Sequence, residues 1–303
     1  MSSRTGFMNN LRPRMRSLAV RGVFWRTCLD WAIENVPFYF QPLMIFFWTL
    51  FFFFFSTSAR RAALRNLAIV RPGSSRAVNY LRAFRMFYNF AWTMTDTATY
   101  KLLKAPFSFE LVGEEFLNEL ASAKRAIILT AHMGSYDLGA AAFAEKFRRE
   151  IRMVRAPEPD VLSAQHVDLS LEATAVKVDY SGGALVSFDL LSALRNGEII
   201  SIQGDRVVEN VAATPAHLFG EGISFPSGPF NLSIAADAPV YPLFIVRAGY
   251  RKYKIIVWEP IVCSQSAPSR REAVATAMQT WSQILERSIG EYWHQWYAFA
   301  PIF

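Results

Sequence analysis

Short apolar runs alternate with amphipathic windows from Pro106 to the end of the chain. The apolar runs predict strands at Ala126–Thr130, Ile151–Val154, Val176–Tyr180, Ile199–Gln203, Val240–Val246 and Lys254–Ile261. The amphipathic windows predict helices at Tyr136–Arg149, Val161–Ala173, Ala184–Arg195 and about Arg270–Ile289. This alternation is typical of an α/β fold with a mixed, largely parallel central sheet flanked by helices.

The N-terminal third has a different pattern. Arg60–Val70 and Asn79–Leu103 predict two helices separated by a Pro-Gly-Ser turn. Before them, Val36–Phe55 forms an apolar span of twenty residues, and its only strongly polar side chains are Gln41 and Thr49. A helix of that length can cross a bilayer core of ~30 Å. We therefore divide the chain into a hydrophobic, membrane-associated helical region (1–105) and an α/β domain (106–303).

Charge separates the same two regions. Up to Tyr100 the chain has thirteen Arg, no Lys and three acids, a net charge of +10; the remainder has nineteen basic and twenty-two acidic residues, hence −3. A basic region beside the most apolar segment favours an anionic membrane surface as partner, and the chain carries no nucleic-acid-binding motif. Arginines flank the apolar span on both sides, which favours a helix lying in or dipping into the cytoplasmic leaflet over a clean crossing. A core helix of a soluble protein is the alternative interpretation.

His132 is the first candidate for chemistry. It follows the predicted strand Ala126–Thr130, in the turn before a helix, where open α/β sheets bind their ligands. Ser135 is a candidate N-cap of that helix, and Gly134 leaves the turn open to a substrate. Asp137 falls in the first helical turn, from which we expect its carboxylate to reach the imidazole and fix one tautomer. A histidine oriented in this way is a general base.

A second strand ends in a comparable motif. Ile199–Gln203 is followed by Gly204, Asp205 and Arg206, and further along the chain come Phe225-Pro-Ser-Gly-Pro229 and Ala238-Pro-Val-Tyr-Pro242. As a set, these segments and the H-x4-D pattern at His132 resemble the lysophospholipid acyltransferase superfamily. They are most similar to its branch of bacterial lipid A biosynthesis (lauroyl/myristoyl) acyltransferases. The resemblance covers nearly the whole chain, including Arg60–Leu67 and Tyr292–Tyr297.

The resemblance implies an enzyme of the bacterial inner membrane, with its catalytic domain on the cytoplasmic side. It would move a fatty acyl chain from a thioester, acyl carrier protein or acyl-CoA, to a hydroxyl of a lipid A-type or other lipid acceptor, with no cofactor. His132 would deprotonate that hydroxyl with Asp137 as its orienter, and Arg206 would meet an acceptor phosphate. Asp205 would fix Arg206 or join its charge network. The segment Phe225–Pro229 lacks the Glu and Arg of glycerolipid enzymes, which disfavours a glycerol-phosphate acceptor.

Other chemistry remains open. Backbone amides near Met133–Gly134 or at Gly204 are candidate oxyanion donors. His166, His217 and His294 are scattered without metal-ligand spacing, so no metal is expected. Ser135 as a covalent nucleophile is a rival, although it lacks a G-x-S-x-G elbow. Two other functions compete: a catalytically inactive relative that binds lipids, and a hydrolase that uses the same His and Asp with water.

Overall fold

A computed structural model describes residues 23–155, 176–180, 186–207, 211–263 and 267–303. The N-terminal region is helical. Its helices are α1 (Val23–Asn35), α2 (Gln41–Phe55), α3 (Thr57–Val70) and α4 (Arg76–Leu103), and a short 3-10 turn, Phe38–Phe40, precedes α2. Ser75 caps α4, because its hydroxyl accepts the amide N–H of Val78.

Strands and helices then alternate along the chain. The strands are β1 (Ser108–Val112), β2 (Ala126–Thr130), β3 (Ile151–Arg155), β4 (Val176–Tyr180), β5 (Ile199–Gln203), β6 (Ala213–Leu218), β7 (Glu221–Pro226), β8 (Val240–Gly249) and β9 (Lys252–Val257). The helices are α5 (Glu114–Ser122), α6 (Tyr136–Phe147), α7 (Val186–Arg195), α8 (Gly228–Ala236) and α9 (Arg270–Tyr292), which a 3-10 turn, Trp293–Gln295, extends.

Within the described residues, seven strands form one sheet in the order β1-β9-β8-β2-β5-β3-β4, and β6 and β7 form a separate hairpin. β8, β2, β5, β3 and β4 are parallel; β9 is antiparallel to β8, and β1 is parallel to β9. The fold class predicted from the sequence, a largely parallel sheet flanked by helices, is confirmed. Because β2 and β5 are neighbours, the turns that follow them lie side by side at one edge of the sheet.

The central strand β2 is buried on both faces, as its continuous apolar sequence requires. Ile127 and Leu129 pack into the cluster that contains Trp281 and Leu285 of α9. Ala126 and Ile128 pack on the opposite face, against α5 and α6. Burial on both sides fixes the register of β2 and therefore the position of the residues that follow it.

The apolar helix α2 is largely exposed. Phe38–Phe55 is the one segment among the described residues that is long and apolar enough to cross a membrane, and only 17% of it is buried. A core helix of a soluble protein would be mostly buried, so this exposure argues against that alternative.

An ion pair and a hydrogen bond join α4 to the sheet. The buried carboxylate of Asp96 accepts Arg247 Nε at 2.9 Å and the hydroxyl of Tyr253 at 2.8 Å. The guanidinium of Arg247 also lies 4.3 Å from the ring centroid of Trp92. The helical region and the α/β domain are thus packed together through α4 and the β8–β9 pair.

The sequence predictions for β2, β4 and β5 match the structure residue for residue. The last predicted strand was placed too far along the chain, because β9 ends at Val257. No element was predicted from the sequence at α1, β1, α5 or the β6–β7 hairpin. The predicted helix Val161–Ala173, together with His166, lies outside the described residues.

Candidate active site

His132 lies in the turn between β2 and α6, and its contact partner comes from the neighbouring strand. Nδ1 of His132 is 2.7 Å from Oδ1 of Asp205. The strand register explains the contact. Thr130 pairs with Gln203, and His132 and Asp205 each lie two positions after these paired residues. The amide of Gly204 donates to the carbonyl of Thr130 at 2.8 Å, which continues the pairing beyond both strands.

Asp137 makes a different contact from the one we expected. Its carboxylate forms an ion pair with Arg155, at the end of β3, and the carboxylate that contacts the imidazole belongs to Asp205. The first turn of α6 therefore presents Asp137 toward β3, whereas His132 faces β5. Tyr136 lies between the two pairs: its ring is 6.4 Å from the imidazole and 5.7 Å from the Arg155 guanidinium.

Asp205 is a buried, fully engaged carboxylate. Its side chain is 0% exposed, whereas that of His132 is 29% exposed. Oδ2 accepts the indole N–H of Trp296 at 3.0 Å and lies 4.0 Å from Nη2 of Arg206. Burial by itself raises the pKa of Asp205, but His132, Arg206 and the Trp296 N–H together hold it below its ordinary value. Asp205 is therefore an anion at neutral pH.

The C-terminal segment Gln295–Tyr297 holds both turns in place. The carbonyl of His132 accepts the amide N–H of Tyr297 at 2.7 Å, and the carbonyl of Gln295 accepts the amide of Gly134 at 2.9 Å. The carbonyl of Tyr297 accepts Nη2 of Arg206 at 3.2 Å. No role at the site was predicted for this segment from the sequence. Its high content of Trp and Tyr could have indicated one, because the N–H and O–H groups of these side chains need hydrogen-bond partners when buried.

Gly134 serves close packing. Its φ is +57°, and a Cβ at this position would lie 1.8 Å from the carbonyl oxygen of Ile245 in β8. That carbonyl accepts the amide of Ser135 at 2.8 Å. Glycine is required here because only it allows the turn to lie directly against the β8 backbone.

The amides considered as oxyanion donors are already bonded to backbone carbonyls. Met133 N–H donates to Ala131, Gly134 N–H to Gln295 and Gly204 N–H to Thr130. An oxyanion in this structure must therefore find other donors. The guanidinium of Arg206, whose Nε is buried without a partner among the described residues, is the nearest cation to the His132–Asp205 pair.

Ser135 occupies the N-cap position of α6, but its hydroxyl makes no capping bond. The hydroxyl lies 2.9 Å from Oγ1 of Thr97 in α4, and Ser135 is only 1% exposed. A serine nucleophile needs a base within hydrogen-bond reach and access to substrate. Neither condition is met in this arrangement.

Unpaired polar atoms mark this edge of the sheet. Besides Nε of Arg206, the buried Oγ1 of Thr130 lacks a hydrogen-bond partner in the described part of the chain. Both atoms lie at or just after the carboxyl ends of β5 and β2. Buried polar atoms without partners are uncommon in folded proteins, so such atoms at this edge of the sheet are expected where a polar ligand binds.

Comparison with known proteins identifies the family. The sequence model of the bacterial lipid A biosynthesis acyltransferases matches residues 9–303. The chain belongs to this family. It is therefore an acyltransferase of lipid A biosynthesis, in a family that is membrane-associated in bacteria, and it takes an acyl donor and a lipid acceptor. No curated protein matches the sequence.

Within this acyltransferase, the residues singled out from the sequence divide into two pairs at one edge of the sheet. His132 and Asp205 form one pair, to which Arg206 is adjacent. Asp137 and Arg155 form the other. Among the described residues, no group of three or more His, Cys, Asp or Glu is placed to hold a metal ion.

Proposed function

We propose that this lipid A acyltransferase moves a fatty acyl chain from a thioester, acyl carrier protein or acyl-CoA, to a hydroxyl of a lipid A-type acceptor, with His132 as the general base. The observation that carries the proposal is the contact between the partly exposed imidazole of His132 and the buried carboxylate of Asp205 at 2.7 Å. This pair lies at the sheet edge where α/β proteins bind ligands.

The contact with Asp205 supports Nε2 of His132 as the nitrogen that acts as the base. An ionised carboxylate can only accept hydrogen bonds, so Asp205 places the imidazole proton on Nδ1. Nε2 then carries the lone pair, and it has no hydrogen-bond partner in the described structure. Asp205 is a positioning residue in this scheme, since it acts through His132 and does not touch the substrate.

The reaction then proceeds by direct transfer. Nε2 of His132 takes the acceptor's hydroxyl proton as the oxygen attacks the thioester carbonyl. The new C–O bond forms, the C–S bond breaks, and the imidazolium returns its proton to the departing thiolate. General-base assistance of this kind contributes a factor of roughly 10²–10⁴ in rate, and the buried Asp205 anion stabilises the transient imidazolium.

The remaining polar residues have supporting roles. Arg206, with its side chain 25% exposed and bonded to the carbonyl of Tyr297, is placed to meet an anionic group of the acceptor beside His132. Asp137 holds Arg155 at the same edge. We propose that these two arginines share the negative charge of the acceptor and of the tetrahedral intermediate.

We further propose that the enzyme acts at the bacterial inner membrane, with the α/β domain on the cytoplasmic side. The exposed apolar helix α2 and the basic N-terminal third support this location. A helix lying in the leaflet keeps the sheet edge close to the membrane surface, where a lipid acceptor presents its hydroxyls.

An assay of the full chain, purified in a neutral detergent, tests the proposed function. Labelled acyl carrier protein and acyl-CoA are supplied separately, each with and without a lipid A precursor. Transfer of label to the lipid supports the proposal. Release of free fatty acid without acceptor would identify a hydrolase instead, and binding of lipid without turnover would identify an inactive relative. Glycerol phosphate is the control acceptor, to which no transfer is expected.

A further inference from the structure

Three arginines surround one tryptophan at the junction of α3, α4 and the C-terminal segment. The Cζ atoms of Arg71, Arg82 and Arg85 lie 5.9, 5.7 and 5.6 Å from the ring centroid of Trp293. Arg71 follows the last residue of α3, and Arg82 and Arg85 are one turn apart on the same face of α4. We call these four residues the arginine cluster.

In the described part of the chain, the arginine cluster hydrogen-bonds only to neutral acceptors. Arg71 donates to the carbonyl of Gly290, and Arg82 donates to the hydroxyl of Ser74 and, at 3.3 Å, to Oδ1 of Asn79. These acceptors are all uncharged. Over the residues the structure describes, no carboxylate lies within ion-pair distance of any of the three guanidinium groups.

Other arginines of this chain show what the cluster lacks. Arg152 contacts both Asp179 and Glu198, and Arg247 contacts Asp96. Like charges that share one site repel each other unless an anion lies between them. Three guanidinium groups held around one indole therefore favour the binding of an anion beside them.

His294 adds a polar atom to the same place. Its Nδ1 is buried and has no hydrogen-bond partner among the described residues. Burial, with the charges of Arg85 and Arg71, lowers the pKa of His294 to about 4, so the imidazole is neutral at physiological pH. The surroundings of His294 thus exclude a further cation and favour an anion.

The arginine cluster lies beside the apolar helix. Phe84, between Arg82 and Arg85 in the sequence, packs its ring 5.5 Å from that of Phe53 and 5.8 Å from that of Phe46, both in α2. If α2 lies in the plane of the membrane interface, the cluster lies close to the lipid headgroups. Guanidinium groups bind phosphate by several charge-assisted hydrogen bonds at once.

We propose that Arg71, Arg82, Arg85 and Trp293 form a binding site for the phosphate group of an anionic lipid headgroup. This site is separate from the His132–Asp205 pair. It is linked to that pair through the chain, because Gln295, two residues after Trp293, bonds the turn at Gly134. A headgroup bound here anchors the α3–α4 junction against the membrane surface.

The test measures binding of short-chain phosphatidic acid to the full chain in neutral detergent by calorimetric titration. Short-chain phosphatidylcholine and inorganic phosphate are titrated in parallel. The test variant is Arg82→Gln/Arg85→Gln, and the matched control is Arg61→Gln/Arg65→Gln, which removes the same charge from exposed positions of α3. Arg85→Gln alone is added, because Arg85 is exposed and its guanidinium lies over the Trp293 ring without a hydrogen bond or ion pair among the described residues.

We expect saturable binding of phosphatidic acid, weakened at least about tenfold in the test variant and by less than about twofold in the control. Arg85→Gln should give an intermediate loss with an unchanged melting temperature. Equal losses in the test and control variants would overturn the proposal in favour of diffuse charge attraction. If inorganic phosphate binds as tightly as phosphatidic acid, the site is not specific for a lipid headgroup and the proposal fails. If phosphatidylcholine binds as tightly as phosphatidic acid, the site does not recognise an anion and the proposal also fails.

Discussion

Replacing Asp205 by Asn changes the charge next to His132 while preserving its shape. The amide cannot serve both existing partners. If its oxygen accepts the Trp296 N–H, its NH₂ group faces Nδ1 of His132 and favours the tautomer protonated on Nε2. That tautomer has no lone pair directed toward the acceptor hydroxyl. If the amide is reversed, the Trp296 N–H loses its acceptor and the imidazolium loses its counter-charge.

The distance between the two groups sets the size of the effect. At an effective dielectric constant of about 20, unit charges 2.7 Å apart attract with about 6 kcal/mol. Because the imidazole is 29% exposed, we take about half of this, ~3 kcal/mol, as the stabilisation of the transient imidazolium. A loss of ~3 kcal/mol corresponds to a decrease of about 100-fold in kcat.

The assay is steady-state acyl transfer with both substrates saturating, so that kcat is read separately from KM. Asp179→Asn is the control, since that carboxylate lies in the same sheet and pairs with Arg152 at 3.5 Å. We expect kcat to fall about 100-fold in Asp205→Asn and less than about threefold in the control, with both proteins folded by circular dichroism. A decrease in kcat of less than tenfold in Asp205→Asn would refute the reasoning.

Three further predictions concern the structure around the site. Trp296→Phe removes one hydrogen bond to the buried Asp205 anion and should lower the free energy of unfolding by about 1.5–3 kcal/mol. Trp258→Phe is the control and should cost less, because the indole N–H of Trp258 has no partner among the described residues. Equal losses in the two variants would contradict this prediction. Gly134→Ala places a Cβ 1.8 Å from the backbone oxygen of Ile245 and should lower the free energy of unfolding, measured with urea, by at least about 2 kcal/mol. Gly290→Ala is the control: it lies inside a helix with open space around the new Cβ, so it should leave stability unchanged or raise it. Burial and the charges of Arg85 and Arg71 lower the pKa of His294 from 6.5 to about 4 in the folded protein, so the unfolded chain binds more protons between these two pH values. The free energy of unfolding should therefore fall by about 1–2 kcal/mol as the pH drops through this window. In His294→Gln the decrease measured over the same pH window should be smaller by that amount.

The central strands could be read from the sequence because they are buried on both faces. Ala126–Thr130 and Ile199–Gln203 are short runs rich in isoleucine that end at turns, and the structure has the same bounds. The edge strand β1 was missed because Ser108–Val112 has only 5 residues, and two of them, Ser108 and Glu110, are polar. The hairpin strands β6 and β7 contain Pro215 and Pro226, which weaken the strand signal.

The partner of His132 could not be read from local spacing. Asp137 is five residues away in the sequence and Asp205 is seventy-three away, yet the structure brings the second into contact. What decides the contact is the pairing of β2 with β5 in register. Strand order is a tertiary property, and a single sequence carries no direct record of which strands are neighbours. His132 itself was identifiable, because it follows a buried strand in the turn before a helix, in a chain with four histidines.

The most direct measurement of the central claim is the turnover of His132→Ala with a labelled acyl thioester and a lipid A precursor. The variant should keep its fold and its association with membranes, because the backbone of this turn is held by Tyr297, Gln295 and Ile245 independently of the imidazole. We expect transfer to fall by a factor of about 10²–10⁴ in a protein that still folds but has a lowered melting temperature, because the buried Asp205 loses one of its partners. Turnover close to that of the unmodified enzyme would contradict the assignment of His132 as the base.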